Sequence, residues 1–214
     1  MLRLYKTTNR WIKYWQTREI DWQQAYGTSK EAVNHPHREA LINILSGFNF
    51  NSILEIGCGA GVNLLRIRHH WPTTEVGGVD VSQGAIDQAK KNLPTGMFEC
   101  RSAEELYFTR NCTDGAISDA CLIYMNPKKA KLALKELARC SKYFVVLCEF
   151  NSTSWLSRLA LRLSSGYYAH NYRKMLDSLG YYDIQIIKFP KTLWPGLPWE
   201  RYGHFIIARC PQGV

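Results

Sequence analysis

The 214-residue sequence predicts an α/β fold: an open, mostly parallel sheet of seven strands with helices on both faces and a C-terminal antiparallel β-hairpin. Three observations carry this expectation. Short apolar runs alternate with helix-period segments from about residue 50 to residue 180. The first apolar run ends in Gly57-Cys58-Gly59-Ala60-Gly61, a glycine-rich bend of the kind that joins a strand to a helix. Two strand-like runs then close the chain beyond Gly180.

Each element has its own signal. Residues 1–46 read as a helical, aromatic-rich cap. Leu41, Ile44 and Leu45 form a helical stripe, and Gly47 is its stop. Ser52–Ile56 is strand one, followed by a helix over about 61–70. Thr74–Val81 is strand two. Ser82 caps a helix running to Asn92, with Pro94 beyond its end. Met97–Cys100 is a short third strand, Gly115–Ser118 leads a fourth, and Pro127 begins a helix reaching Ser141. Lys142–Glu149 is a continuous apolar run rich in β-branched and aromatic residues, the signature of a strand buried on both faces. Trp155–Leu163 places Leu156, Leu159 and Leu163 on one helical face and Arg158 with Arg162 on another, which predicts a helix packing its leucines inward, with a mobile cover over the site and a membrane-surface role as the alternatives. A helix over Asn171–Leu179 stops at Gly180, and Tyr182–Phe189 and His204–Cys210 are the last strands.

Composition bounds the function. Hydrophobic residues at 46% and charged residues at 21%, without repeats or low-complexity tracts, predict one domain over 1–214: the cap, a core over 47–150, and a closing section over 151–214. No apolar stretch approaches the roughly 20 residues that span a bilayer. The seven cysteines are odd in number and include no C-x-x-C pair, which suits reduced thiols and a cytoplasmic setting. His35 with His37, or His69 with His70, suggests metal, but neither pair joins a set of four ligands, so no metal site is expected. The first eighteen residues hold five basic residues and no acid, as a transit peptide would. Their tryptophans and tyrosine at helical spacing favour folded structure. The net charge of +9 permits an anionic partner, but it is spread along the chain rather than gathered into one stripe.

Glycines at the end of a strand let a backbone approach a ligand that any Cβ would block, and the following helix offers unpaired N–H groups. The spacing is G-x-G-x-G, with Val62 where a dinucleotide fingerprint needs its third glycine. In this form Leu54–Gly61 resembles motif I of the class I, Rossmann-like S-adenosylmethionine-dependent methyltransferases. The resemblance covers roughly residues 50–150. It implies that S-adenosylmethionine is the cofactor, that 47–150 binds it, and that the last strand inserts antiparallel between the two before it. It further implies that Gly57, Cys58, Gly59 and Gly61 line the amino-acid end of the cofactor, with Glu55 serving the ammonium group. Asp80, nineteen residues beyond Gly61, would take the ribose hydroxyls, and Val81 the adenine face. Ser102 and Ala103 would lie near the adenine amine, where Arg101 replaces the family's usual acid. Asp119 and Ala120 would lie near the sulfonium.

For catalysis the candidates are His170, Tyr172 and Glu149. Glu149 follows the fifth strand at the sheet's carboxyl edge, and His170 has an unperturbed pKa near 6.5. The alternative is structural: His170 or Asn171 caps a helix and Tyr172 packs in the core. His35 and His37 are a second set. Trp194 and Trp199, in a proline-stiffened loop, read either as a wall of the acceptor pocket or as cover for an apolar edge. Ser141–Ser152 bears a short resemblance to small methylases of bacterial surface-glycan and nonulosonic-acid pathways, implying a polar, sugar-linked small-molecule acceptor. Two other readings stand beside this one. An RNA methyltransferase is motivated by the charge, although Asp119-Ala120-Cys121-Leu122 lacks the Asn/Asp-Pro-Pro-Tyr/Phe pattern of base amino-methyltransferases. A non-catalytic cofactor-binding module is motivated by the want of a clear base.

Overall fold

In the computed structural model, which describes residues 2–26 and 34–211, the apolar runs of the sequence become the strands of a single sheet. These are β1 (Ser52–Ile56), β2 (Glu75–Asp80), β3 (Met97–Cys100), β4 (Thr113–Asp119), β5 (Ser141–Phe150), β6 (Tyr182–Lys188) and β7 (Gly203–Arg209). Their order is β3-β2-β1-β4-β5-β7-β6. The first five pair in parallel, and β7 runs antiparallel between β5 and β6, as the resemblance implied.

The helices are α1 (Leu2–Thr17), α2 (Trp22–Tyr26), α3 (Pro36–Leu45), α4 (Val62–His70), α5 (Gln83–Asn92), α6 (Pro127–Cys140), α7 (Trp155–Ser165), α8 (Tyr172–Asp177) and α9 (Trp199–Tyr202). Strand alternation sorts the core into two layers. Leu54 and Ile56 of β1, with Val145 and Leu147 of β5, pack against Leu134 and Leu137 of α6 and Leu176 of α8. Ile53, Phe144 and Val146 face the other way, onto Leu41 and Leu45 of α3, Leu64 of α4 and Ile86 of α5. Covering both faces explains why β5 reads as an unbroken apolar run.

The caps follow their chemistry. Ser82 accepts from the Ala85 amide, and Asn126, just before Pro127, accepts from the Lys129 amide. The predicted N-terminal cap is broken into α1, α2 and α3, and the part of that expectation over 27–33 lies outside the described residues.

Helix α7 departs from its expectation. Leu156, Leu159 and Leu163 are exposed, and the buried side chains of α7 are Leu161 and Arg162. Arg162 is buried and Arg158 half-buried, and both are satisfied by carbonyls at the ends of their own helix. Arg158 donates to the carbonyls of Ser152 and Thr153, and Arg162 to that of Gly166 while lying 4.3 Å over the Tyr168 ring.

The strand order reverses between β1 and β4, and a crevice opens beyond their carboxyl ends. Gly78 of β2 makes room there: a Cβ on it would sit 2.7 Å from both Cβ and Sγ of Cys58, in the bend after β1. Gly78→Ala should therefore lower stability by about 1–3 kcal/mol, read as a lower urea midpoint at unchanged slope.

Candidate active site

The bend after β1 is built from left-handed backbone, with φ of 67° at Gly57, 53° at Gly59 and 80° at Gly61. A Cβ at Gly57 would strike the Cys121 side chain at 2.5 Å, whereas one at Gly59 would meet nothing within 4 Å. Gly59 therefore borders open space. The bend is stitched to the end of β2: the Cys58 amide donates to the Val79 carbonyl at 3.0 Å and the Gly59 amide to Asp80 Oδ2 at 3.0 Å. The Ser82 amide donates to Asp80 Oδ1 at 2.9 Å, so backbone donors on both sides orient this carboxylate. Burial raises its pKa, and the two backbone bonds oppose that rise.

Beside the bend lies a cavity of about 350 Å³, within the roughly 300–1,000 Å³ usual for small-molecule sites. Glu55, Gly57, Cys58, Gly59, Asp80, Val81, Ser102, Ala103, Asp119 and Ala120 all line it. Gly61 does not border it; its α-carbon faces Ala89 and Leu93 of α5, and its φ starts helix α4.

A polar network forms the floor. Asn63 Nδ2 donates to Glu55 Oε1 at 2.6 Å and to Asp119 Oδ2 at 3.0 Å, and Arg38 donates to Asn63 Oδ1. His37 Nε2 donates to Asp119 Oδ2 at 2.8 Å, and its Nδ1 lies 2.5 Å from Nδ1 of His35. Burial pushes the Asp119 carboxyl up, but His37, Arg38 and Asn63 together outweigh it and hold Asp119 well below the usual carboxylate range. Glu55 goes the other way. Burial raises its pKa to about 8 against the Asn63 bond, so it is largely protonated at pH 7. Its Oε2 is buried with no hydrogen-bond partner.

Aromatic rings wall the cavity. Trp11 stacks on Tyr167 at 5.4 Å and leans on Tyr124 at 5.1 Å, while Trp194 and Trp199 stack on each other at 4.1 Å. All five rings line the space, as do Trp15, Trp22 and Phe150. Trp194 also lies flat against His37 at 4.3 Å, joining the wall to the polar floor.

The structure does not bring His170, Tyr172 or Glu149 to this cavity. Glu149 is completely buried. Its Oε1 accepts from Ser118 Oγ at 2.7 Å and from the Cys121 and Leu122 amides at 2.9 Å, and its Oε2 accepts from the Ile123 amide at 3.1 Å. It holds a 3₁₀ turn over Leu122–Tyr124 that the sequence pattern does not announce. Burial raises its pKa to about 7 against these bonds. His170 is buried with Nε2 3.1 Å from the Leu122 carbonyl, Asn171 caps α8, and Tyr172 is core.

Several lining residues escape sequence reasoning. Asn63 is the second residue of α4, a helix for which the sequence pattern gives only the bounds. Arg38 reaches the site only through the folding of α3 against α4, and the tryptophans of α1 and α2 enter from the cap. Arg101 lines the cavity too, its backbone amide held by the Asp80 carbonyl at 2.7 Å.

Comparison with known proteins gives consistent findings. Residues 53–143 match the family model described as a methyltransferase domain. The chain is 35% identical over 107 residues to malonyl-[acyl-carrier protein] O-methyltransferase of Priestia megaterium, covering 48% of this chain and 37% of that protein. It is 33% identical over 100 residues to ribosomal RNA large subunit methyltransferase G of Vibrio parahaemolyticus, covering 46% and 26%. The chain thus matches well under half the length of these curated relatives. Magnesium protoporphyrin IX methyltransferase from Synechocystis, solved with bound SAH, superposes with a TM-score of 0.69 at 16% identity, over 95% of this chain and 99% of that one. That is the same fold.

Burial lowers the His170 pKa from 6.5 to about 4. Between these values the unfolded chain binds more protons than the folded one, so stability is held above pH 6.5 and lost as pH falls towards 4. His170→Gln should flatten this acid limb by about 3 kcal/mol in urea titrations from pH 7 to 4.

Proposed function

We propose that this chain, whose residues 53–143 are a methyltransferase domain on a class I fold, transfers a methyl group from S-adenosylmethionine to an oxygen or nitrogen of a small molecule. One observation carries the reading furthest. Glu55 lines the cavity and keeps a buried carboxylate oxygen with no hydrogen-bond partner among the described residues, next to a glycine bend whose open side has space beyond it.

The residues present fit this cofactor. Glu55 would hold the ammonium group, with Asn63 fixing its other oxygen. Asp80, pinned by two backbone amides, would accept the ribose hydroxyls, since its two oxygens match a vicinal diol. Val81, Ser102 and Ala103 would border the base. When bound, S-adenosylmethionine supplies the activated methyl group on a positive sulfur. The protein's share is to bind and orient both partners and to exclude water. The rings of Trp11, Tyr124, Tyr167, Trp194 and Trp199 suit an acceptor with a flat or apolar body, and the same faces stack on sugars. With His170 and Glu149 spoken for by backbone partners, an amine whose lone pair is free at neutral pH is the acceptor this cavity serves most simply.

The RNA reading rests on charge and on one relative's name, and the non-catalytic reading on the want of a base. Transfer of labelled methyl into fractionated metabolites, RNA and protein separates the three. Label in a small-molecule fraction is expected; label in RNA alone, or none with cofactor bound, would overturn the proposal.

Two further outcomes are expected. Asp80→Asn should weaken S-adenosylhomocysteine binding about tenfold or more in calorimetry and also lower stability by about 1–3 kcal/mol in urea titration, because its single amide oxygen can accept from only one of the Gly59 and Ser82 amides. Binding at pH 7 should release close to one proton, because an ammonium group draws Glu55 from its protonated form, with a pKa of about 8, to the carboxylate. Affinity should therefore climb as pH rises from 6 towards 7.5. Glu55→Gln should abolish the release, measured in buffers of different ionisation enthalpy.

A further inference from the structure

Helix α7 turns its apolar side to solvent. Trp155, Leu156, Leu159 and Leu163 are 64, 60, 44 and 73% exposed, and at 3.6 residues per turn they fall within about 100° of arc. Ridges of this kind on a single helix call for an occupant.

Charge says which. No acid occurs between Glu149 and Asp177, a stretch that contains Arg158, Arg162, Arg173 and Lys174, and none precedes Glu19, in a stretch containing Arg3, Lys6, Arg10, Lys13 and Arg18. These nine basic residues equal the chain's net charge of +9, so the remainder is balanced. The two segments meet in space. Trp11 Nε1 of α1 donates to the Gly166 carbonyl at the end of α7 at 3.1 Å, and the Trp11 ring stacks on Tyr167. Arg10, Lys13, Arg173 and Lys174 are all exposed.

We propose that α7, flanked by α1, docks on an anionic lipid bilayer. Its tryptophan and leucines would sink to the headgroup–acyl boundary while the exposed lysines and arginines meet the anionic headgroups. Among the described residues no helix is long and apolar enough to cross a membrane, and the proposed contact is with the bilayer surface. An apolar ridge alone would serve a second copy of the chain equally well. Two adjoining segments that carry nine basic residues and no acid favour an anionic sheet over a partner bearing the same positive field, because like charges would oppose a symmetric pairing.

The test is flotation of the full chain with vesicles of phosphatidylcholine alone and with added phosphatidylglycerol. Binding to the anionic vesicles is expected, falling steeply as NaCl rises from about 0.1 to 0.5 M, with little binding to the neutral ones. The double substitution Leu159→Asp, Leu163→Asp should weaken partition about tenfold or more at unchanged urea midpoint, both side chains being exposed. Arg10→Gln with Lys13→Gln should lessen the salt dependence. No flotation with anionic vesicles would overturn the proposal, as would full retention of binding by both variants. A dimer in ultracentrifugation that the leucine substitutions dissolve would assign the face to a second copy instead.

Discussion

At the carboxyl ends of β1 and β2 a glycine bend and a carboxylate hold each other in place. The Gly59 amide donates to one oxygen of Asp80 and the Ser82 amide to the other, while the Cys58 amide takes the Val79 carbonyl. Three left-handed residues within five positions make this possible, and only glycine occupies such backbone without strain. The bend in turn needs Gly57 bare against Cys121 and Gly78 bare against Cys58, so β4 and β2 can close on it from either side. A crevice at the point where strand order reverses follows from the topology; its sharp, donor-lined edge follows from this stitch.

Beneath the edge, charge is balanced by residues from distant parts of the chain. Asp119 ends β4 almost fully out of water, where an unpaired carboxylate would cost several kcal/mol. His37 and Arg38, from the first turn of α3, and Asn63, from the first turn of α4, supply the compensation. Helices α3 and α4 are thus placed by their apolar contacts with the sheet and also by one anion they share. The His35–His37 pair extends the network to Trp194, so the ring wall and the polar floor are in direct contact.

The layered fold was legible because its signals are local. Period-two burial, a glycine bend, Ser82 and Asn171 as caps, and Pro127 at a helix start all depend on neighbours a few residues apart. The strand-end groups Glu55, Asp80 and Asp119 came from the resemblance to the methyltransferase motifs, and a parallel sheet puts the carboxyl ends of its strands on one edge. The network residues were not legible, since Arg38 and His37 reach Asp119 from about eighty positions away and nothing in their spacing announces it. Helix α7 misled for a related reason. Periodicity shows that a helix has two faces but not which one turns inward, and here Leu161 and Arg162 are buried while Leu156, Leu159 and Leu163 are exposed.

Glu149 and Glu55 show what separates a structural carboxylate from one kept for a ligand. Both are buried, both end or nearly end a parallel strand, and burial raises both pKa values, to about 7 and about 8. Position and titration alone would rank them together. Hydrogen-bond accounting does not. Glu149 receives four donors: the consecutive amides of Cys121, Leu122 and Ile123, which close a turn, and Ser118 Oγ of β4. Glu55 receives a single donor, from Asn63, on one oxygen, and its other oxygen is buried without a partner at the border of a cavity. An unmet acceptor in low dielectric is a standing cost in the empty protein and a gain once a donor arrives. A donor that is also positively charged gains most, since it lets the carboxyl ionise where burial alone would keep it neutral.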